Sequence, residues 1–499
     1  MTRSTPARGF LPALLATLVA CGGPSHDFPD LAGFDPGAVA PIPGSPEGVT
    51  AFVNVGVLPM WGDRPILENR TVIVEGGRVT RVGPADRVTI PDDARTIEGE
   101  GRWLLPGLSE MHAHVPGPQA GRQQMDDILF LYLANGVTTI RSMLGAPNHL
   151  ELREAIAAGE RLGPTLFSGS PSLSGGSAPN PETAEELVRS HARAGYDLLK
   201  LHPGLSRETY DRIVEVATEV GITWAGHVSP DVGLEYSLAT GKSTVDHLDG
   251  YVEAAASSEV RERVVAGEAV PLSEVVGSAT PERIHELARM TRDAGTWNVP
   301  TAYLWELFYN DQSAETLASL PEMRFVSAAQ VQQWRSQKEQ RLFVDLLENW
   351  RTDGELGADE VSQADAEALI QLRRQVLAAL DEAEAGLLLG TDSPQVFMVP
   401  GFSLHREVRV MAEAGIPPLR ILESGSRNVA TYAAEELGYE EAFGSVVPGH
   451  RADLILAEGN PLDDLENLRD PAGVMVRGQW LSRDEIRARL GEIAERVGR

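Results

Sequence analysis

Cysteine is nearly missing from this chain, with one residue, Cys21, in 499. No second thiol exists for an intrachain disulfide, so an oxidising compartment is permitted but not demanded. Basic residues are scarce as well, with 43 Lys and Arg against 72 Asp and Glu, a formal charge of −29. That balance argues against nucleic acid or anionic lipid as a partner, since phosphates reward Lys and Arg. The acid surplus reads as solubility. The apolar stretch Phe10–Ala20 falls short of the roughly 20 residues needed to cross a bilayer as a helix. Histidine is sparse too, at 11 residues, so the placement of each carries information.

What is present begins with a separate leader. Arg3 and Arg8 precede the apolar stretch, which ends at Leu18-Val19-Ala20-Cys21-Gly22 and resembles a bacterial lipoprotein lipobox. Cys21 would then be lipidated and become the mature N-terminus. The expected location is the bacterial cell envelope, with the membrane met only through that anchor. Loss of the leader leaves a body with no thiol nucleophile. The following segment, rich in Pro, Gly and Ala to about residue 48, reads as a tether.

From Ala51 the pattern is short and alternating, with a Gly76-Gly77 turn, and a similar texture returns near residues 444–480; these are strands and hairpins. Between them, apolar runs alternate with helical stretches. Eight runs can be counted, at 103–108, 137–143, 164–170, 196–201, 222–226, 243–247, 296–302 and 386–392. Helical segments such as PETAEELVRSHARAG and SRETYDRIVEVATEVG open on Pro or Ser and close on Gly. Eight strand–helix units predict a (β/α)8 barrel, whose active sites lie at the C-terminal strand ends. A helical insertion at about 303–385 interrupts the rhythm after the seventh run. It reads equally as a wall of the pocket or as packing against the barrel flank or a dimer partner.

Six residues sit at those strand ends: His112, His114, Lys200, His227, His247 and Asp392. Imidazole and carboxylate suit zinc and similar divalent ions, and a metal so held can activate water. His112 and His114, two apart, can grip one ion. His227 and His247, on adjacent strands, can hold a second. Asp392 ends an apolar strand, where a carboxylate is costly unless paired or metal-bound. Lys200 is the odd member. Beside two cations its amine would lose its proton, react with CO2 and become an anionic bridge; the alternative is an uncarboxylated lysine touching substrate in a one-metal enzyme. Weaker candidates are His405, behind Asp392, and Tyr303, Trp305 and Arg141 as pocket lining. His149, His191, His285 and His450 read as surface or packing residues.

These motifs resemble the amidohydrolase superfamily, in the branch of imidazolonepropionase-like and Xaa-Pro-dipeptidase-like metal-dependent hydrolases. The resemblance covers about Ala51 to Trp480. It rests on LLPGLSEMHAH, LKLHPGLSRETYDRIV, AGHVSP, DHLDG, GTDSP, SLHREVRVMAEAGIPPLRIL and GSVVPGHRADLILAEGNPL. It implies His112, His114 and Asp392 on one divalent ion, His227 and His247 on another, both expected to be zinc, and carboxylated Lys200 between them. It also implies an α/β fold, a TIM barrel with a small composite β-sandwich built from both chain ends. The expected divisions are leader 1–20, tether 21–49, sandwich 50–104 and 440–485, barrel 105–439, and a C-terminal helix 486–499. Two positions depart from the pattern: His202 stands where an aromatic is expected, on the same strand face as Lys200, which makes it a candidate substrate contact that alters specificity, and Ser426 stands where an Ala-Ala-Thr run is commoner.

The expected reaction is cleavage of a C–N amide bond in a dipeptide or N-acyl amino acid. A hydroxide shared by the two ions attacks the carbonyl, and Asp392 carries the proton to the leaving nitrogen. Hydrolysis of a lactam or imidazolone, or of a carbamate or ester xenobiotic, is the alternative within the enzyme class. A metal-stabilised binding lipoprotein is the alternative outside it, disfavoured because a binder needs no proton shuttle. A homo-oligomer is compatible with the sequence.

Overall fold

The computed structural model describes residues 40–498, except 63–65, 267, 269 and 341–361. The leader, Cys21 and most of the tether lie outside the described residues, as does the middle of the insertion. The chain separates into two compact units, Met1–Phe34 and Asp35–Arg499, and everything below belongs to the second.

The alternating segments form one eight-stranded sheet drawn from both ends of the unit. Strands β1 (Val49–Val57), β2 (Leu67–Glu75) and β3 (Arg78–Pro84) run antiparallel, with the Gly76-Gly77 turn between the last two at positive φ. Strand β4 (Arg95–Glu98) and β5 (Trp103–Pro106) lie along the other edge of β1. Strands β13 (Leu454–Ala457), β14 (Gly473–Val476) and β15 (Gln479–Ser482) extend the sheet through β5, where Ile455 faces Leu105. This is the sandwich part of the fold, joined from residues about 350 apart in sequence.

Seven parallel strands make most of the barrel. They are β6 (Leu108–Ala113), β7 (Val137–Ser142), β8 (Thr165–Ser168), β9 (Leu198–Leu201), β10 (Thr223–Gly226), β11 (Thr244–Asp246) and β12 (Trp297–Val299). Parallel bridges Gly169↔Leu198 and Leu173↔Leu201 join β8 to β9. The eighth run closes the ring without forming a regular strand. It meets β12 at Asn298↔Leu387, and the backbone N–H groups of Met111, Asp392 and His114 bond across to Leu389, His112 and Ser393. Gly390 makes this approach possible, since a Cβ there would stand 2.8 Å from His112 N and 2.6 Å from Val299 Cγ1.

One boundary differs from the sequence reading. The run at 103–108 is two strands, because Pro106 and Gly107 break the ladder: Trp103–Pro106 joins the sandwich sheet, and the first barrel strand starts at Leu108. Helix limits follow local chemistry closely. Asn180 caps the helix Pro181–Ala194 by accepting from Thr183 N, and Gly195 ends it in the left-handed region at φ 86°. Ser206 and Gly221 do the same for Arg207–Val220. Such N-caps each contribute about 1 kcal/mol.

The insertion is helical where described: Ala302–Tyr309, Ala314–Ala318, Ala328–Glu339 and Gln363–Glu382, with a 3-10 turn at Pro321–Phe325. Leu307, Leu369 and Leu377 of the insertion are fully buried and continuous with the barrel's hydrophobic core.

Candidate metal centre

Strand order decides which side chains meet. Parallel strands all end at the same barrel rim, so residues one strand-length into β6, β9, β10, β11 and the eighth run converge there. His112, Lys200, His227, His247 and Asp392 are buried, and His114 keeps 20% of its side chain exposed. His114 is the most exposed of the six.

Asp392 is the hub. Its Oδ1 lies 2.5 Å from His114 Nε2 and 3.8 Å from His112 Nε2, and its Oδ2 lies 3.9 Å from His247 Nε2. One ligand atom each from His112, His114 and Asp392 falls within 4.8 Å of the others, a spacing that can hold a cation. Lys200 Nζ stands 3.4 Å from His112 Nε2. Gly226 leaves it that room, since a Cβ there would sit 3.0 Å from Lys200 Cδ and 3.3 Å from Nζ. His227 and His247 stack, with ring centres 4.5 Å apart and planes at 29°.

Three histidines have a polar group behind Nδ1, a hydrogen bond for His227 and His247 and a close ion-pair contact for His112. His112 Nδ1 lies 2.7 Å from Asp246 Oδ2, His227 Nδ1 is 2.8 Å from Asp249 Oδ2, and His247 Nδ1 is 2.8 Å from Thr301 Oγ1. Fixing one ring nitrogen determines which one is left to ligate. His247 Nε2 is buried with no hydrogen-bond partner among the described residues, as a nitrogen that ligates a cation would be. Burial, and for His112 also Lys200, pushes His112 down to about 3 and His247 to about 4, so both are neutral bases near pH 7. Lys200 is lowered as well, chiefly by burial.

Backbone strain gathers at the same place. His247, Thr301 and Asp392 adopt left-handed φ values of 63°, 45° and 74°. Each costs on the order of 1–3 kcal/mol, and such residues persist where the surroundings over-determine them. Here Arg373 Nη2 donates to His247 O at 2.5 Å, and Gln395 Nε2 donates to Asp392 Oδ1 at 3.2 Å.

Several of the supporting groups were not singled out in the sequence. Glu110 accepts from His112 N, Thr391 N and Thr391 Oγ1 at 3.1, 2.7 and 2.6 Å, bracing the first and eighth runs together; burial still pushes its carboxyl up to about 8. Asp246 and Asp249 flank His247 in DHLD, and that spacing was their only signal. Burial opposes the ionisation of Asp246, yet Arg141 and His112 hold its carboxyl well below the usual carboxylate range.

Of the remaining candidates, His202 does join the cluster. Its ring stacks on His227 at 4.9 Å, and its Nδ1 lies 2.7 Å from Ser172 Oγ. Tyr303 does not. Its ring lies beside Arg406, and its backbone N–H is bound to Glu407, because the helix Ala302–Tyr309 turns that face into the core. Trp305 is buried under the Arg373 guanidinium at 3.9 Å. His405 is buried beside Arg469 and the Asn135 backbone, away from Asp392. Arg141 is fully buried inside the barrel and lines no pocket.

With this geometry in hand, comparison with known proteins is informative. The family model described as "Amidohydrolase family" matches residues 103–481. An adenine deaminase of Ruegeria sp. (strain TM1040) is 25% identical over 432 residues, covering 83% of this chain and 54% of its own length. The chain thus spans about half the length of that relative. The structure of bottromycin amidohydrolase superposes with a TM-score of 0.64 at 22% identity, covering 90% of this chain and 91% of its own. A Xaa-Pro dipeptidase with methionine bound in its active site gives 0.60 at 17% identity, covering 87% of this chain and 100% of its own. At these identities the structural likeness concerns the fold.

Proposed function

The chain belongs to the amidohydrolase family, and from that premise we propose that it cleaves the C–N amide bond of a dipeptide or N-acyl amino acid, using two divalent cations. As a member of that family it is a metal-binding hydrolase acting on C–N bonds; the substrate and the second cation are our reading. The observation that carries it is the convergence of His112, His114 and Asp392 on one point, with Lys200 and His247 within 4 Å of the same atoms.

A divalent cation at such a place lowers the pKa of coordinated water toward roughly 7 and polarises a carbonyl oxygen. The protein supplies the rest. His112, His114 and Asp392 would hold one cation, and His227 and His247 would hold the other. Burial lowers the pKa of Lys200; as the free amine it would add CO2 at Nζ with release of one proton, and the carbamate would supply anionic charge beside the cations. Asp392, held by Gln395, takes the proton of the attacking water and delivers it to the nitrogen leaving the broken C–N bond. His202, with one ring nitrogen occupied by Ser172, offers the other to a polar group of the substrate.

The test is a turnover screen of zinc- or manganese-loaded protein against dipeptides, N-acyl amino acids, lactams and adenine. Dipeptide or N-acyl amino acid hydrolysis is expected to lead. Lactam opening or adenine deamination without peptide cleavage would overturn the substrate reading.

A further inference from the structure

Among the described residues Arg141 is the largest side chain wholly removed from solvent, and a guanidinium in a barrel core calls for an explanation. A buried charge is expensive, and apolar packing of similar volume is often at least as stable. All three of its guanidinium nitrogens are nevertheless engaged. Nε donates to Met111 O at 2.7 Å, the carbonyl immediately before His112. Nη2 faces both oxygens of Asp246 at 3.4 Å, and Thr244 Oγ1 donates to the same carboxylate at 2.6 Å. Asp246 in turn meets His112 Nδ1 at 2.7 Å. From below, Nη1 donates to Tyr432 Oη at 2.8 Å, and the guanidinium carbon lies 5.2 Å from the Tyr432 ring centre. One side chain thus grips His112 twice, by its preceding carbonyl and through the acid behind its ring.

We propose that Arg141 is a positioning residue for the cation site: with Asp246 it fixes the orientation and tautomer of His112, leaving Nε2 for the metal, and Tyr432 seats it. This rests on the reading that His112 is a ligand. A planar fork is needed because Met111 O and Asp246 are reached at once; the point charge of lysine cannot span both. Partners of this kind behind a ligating histidine are worth roughly 10–100-fold in metal affinity.

The experiment compares full-length wild type, Arg141→Met, Arg141→Lys and Tyr432→Phe. It measures zinc affinity by competition with a chromophoric chelator, well below each variant's melting transition, and the visible spectrum with Co2+ in place of zinc. Arg141→Met is expected to lower affinity roughly 10–100-fold and shift the Co2+ bands. Arg141→Lys should recover part of the loss and Tyr432→Phe should lose least. Wild-type affinity and an unchanged Co2+ spectrum in folded Arg141→Met would make Arg141 a packing residue only. Should that variant not fold, the same result in Arg141→Lys overturns the proposal. Wild-type protein that takes up no cation would instead overturn the ligand reading itself, and this inference with it.

Discussion

The two halves of the rim are built differently. On the side of β6 and the eighth run, His112, His114 and Asp392 already stand with ligand atoms within 4.8 Å, braced by Glu110, Asp246 and Arg141 from within the barrel. On the side of β10 and β11, His227 and His247 lie stacked, and their braces come from loops and the insertion: Asp249, Thr301 and Arg373. The first half is a property of the barrel's closure. The second depends on segments that follow the strands. A preassembled site spends little ordering its ligands, so the two halves should differ in affinity, with the β6 half loading first.

The largest expected effect breaks the comparison at its shared member. Asp392→Asn should lower kcat on the order of 10³-fold while metal analysis still finds cation on the protein. Full activity would remove Asp392 from proton transfer. Next, His112→Asn should abolish tight uptake in elemental analysis, whereas His227→Asn should retain one equivalent; equal losses would erase the distinction between halves. Asp249→Asn sharpens it further. A chelator titration should show the weaker cation released roughly 10–100-fold more readily, with the tighter one little changed.

A smaller effect lies outside both halves. Burial pushes His405 down to about 3 and His450 to about 4, so each is neutral when folded and protonated when unfolded over the interval up to about 6.5. The unfolded state then binds more protons, and stability falls as pH drops from about 6.5 toward about 4. Melting temperatures of metal-free protein across that range should fall, and replacing both by leucine should flatten the slope. Smallest of all, Cys21→Ser should leave kcat unchanged while shifting the protein from the membrane to the soluble fraction on expression.

Much of the rim was legible because strand ends in a parallel barrel share one face, so position along the chain suffices to gather His112, Lys200, His247 and Asp392. Helix limits at Asn180, Gly195, Ser206 and Gly221 were legible because caps are local chemistry. What lay beyond the sequence was direction across the barrel. Arg141 ends a strand like the ligands do, yet its side chain runs inward to Asp246 and Tyr432, contacts set by closure of the ring. Tyr303 follows a strand end as well, but the helix beginning at Ala302 rotates it toward Arg406. The split at Pro106 was readable from proline and glycine alone, and continuous hydrophobicity masked it.

The most direct test is anomalous diffraction at the zinc absorption edge from crystals of active protein. The account predicts a peak about 2.0–2.2 Å from His112 Nε2, His114 Nε2 and an Asp392 oxygen. Active crystals with no anomalous signal at that rim would contradict it.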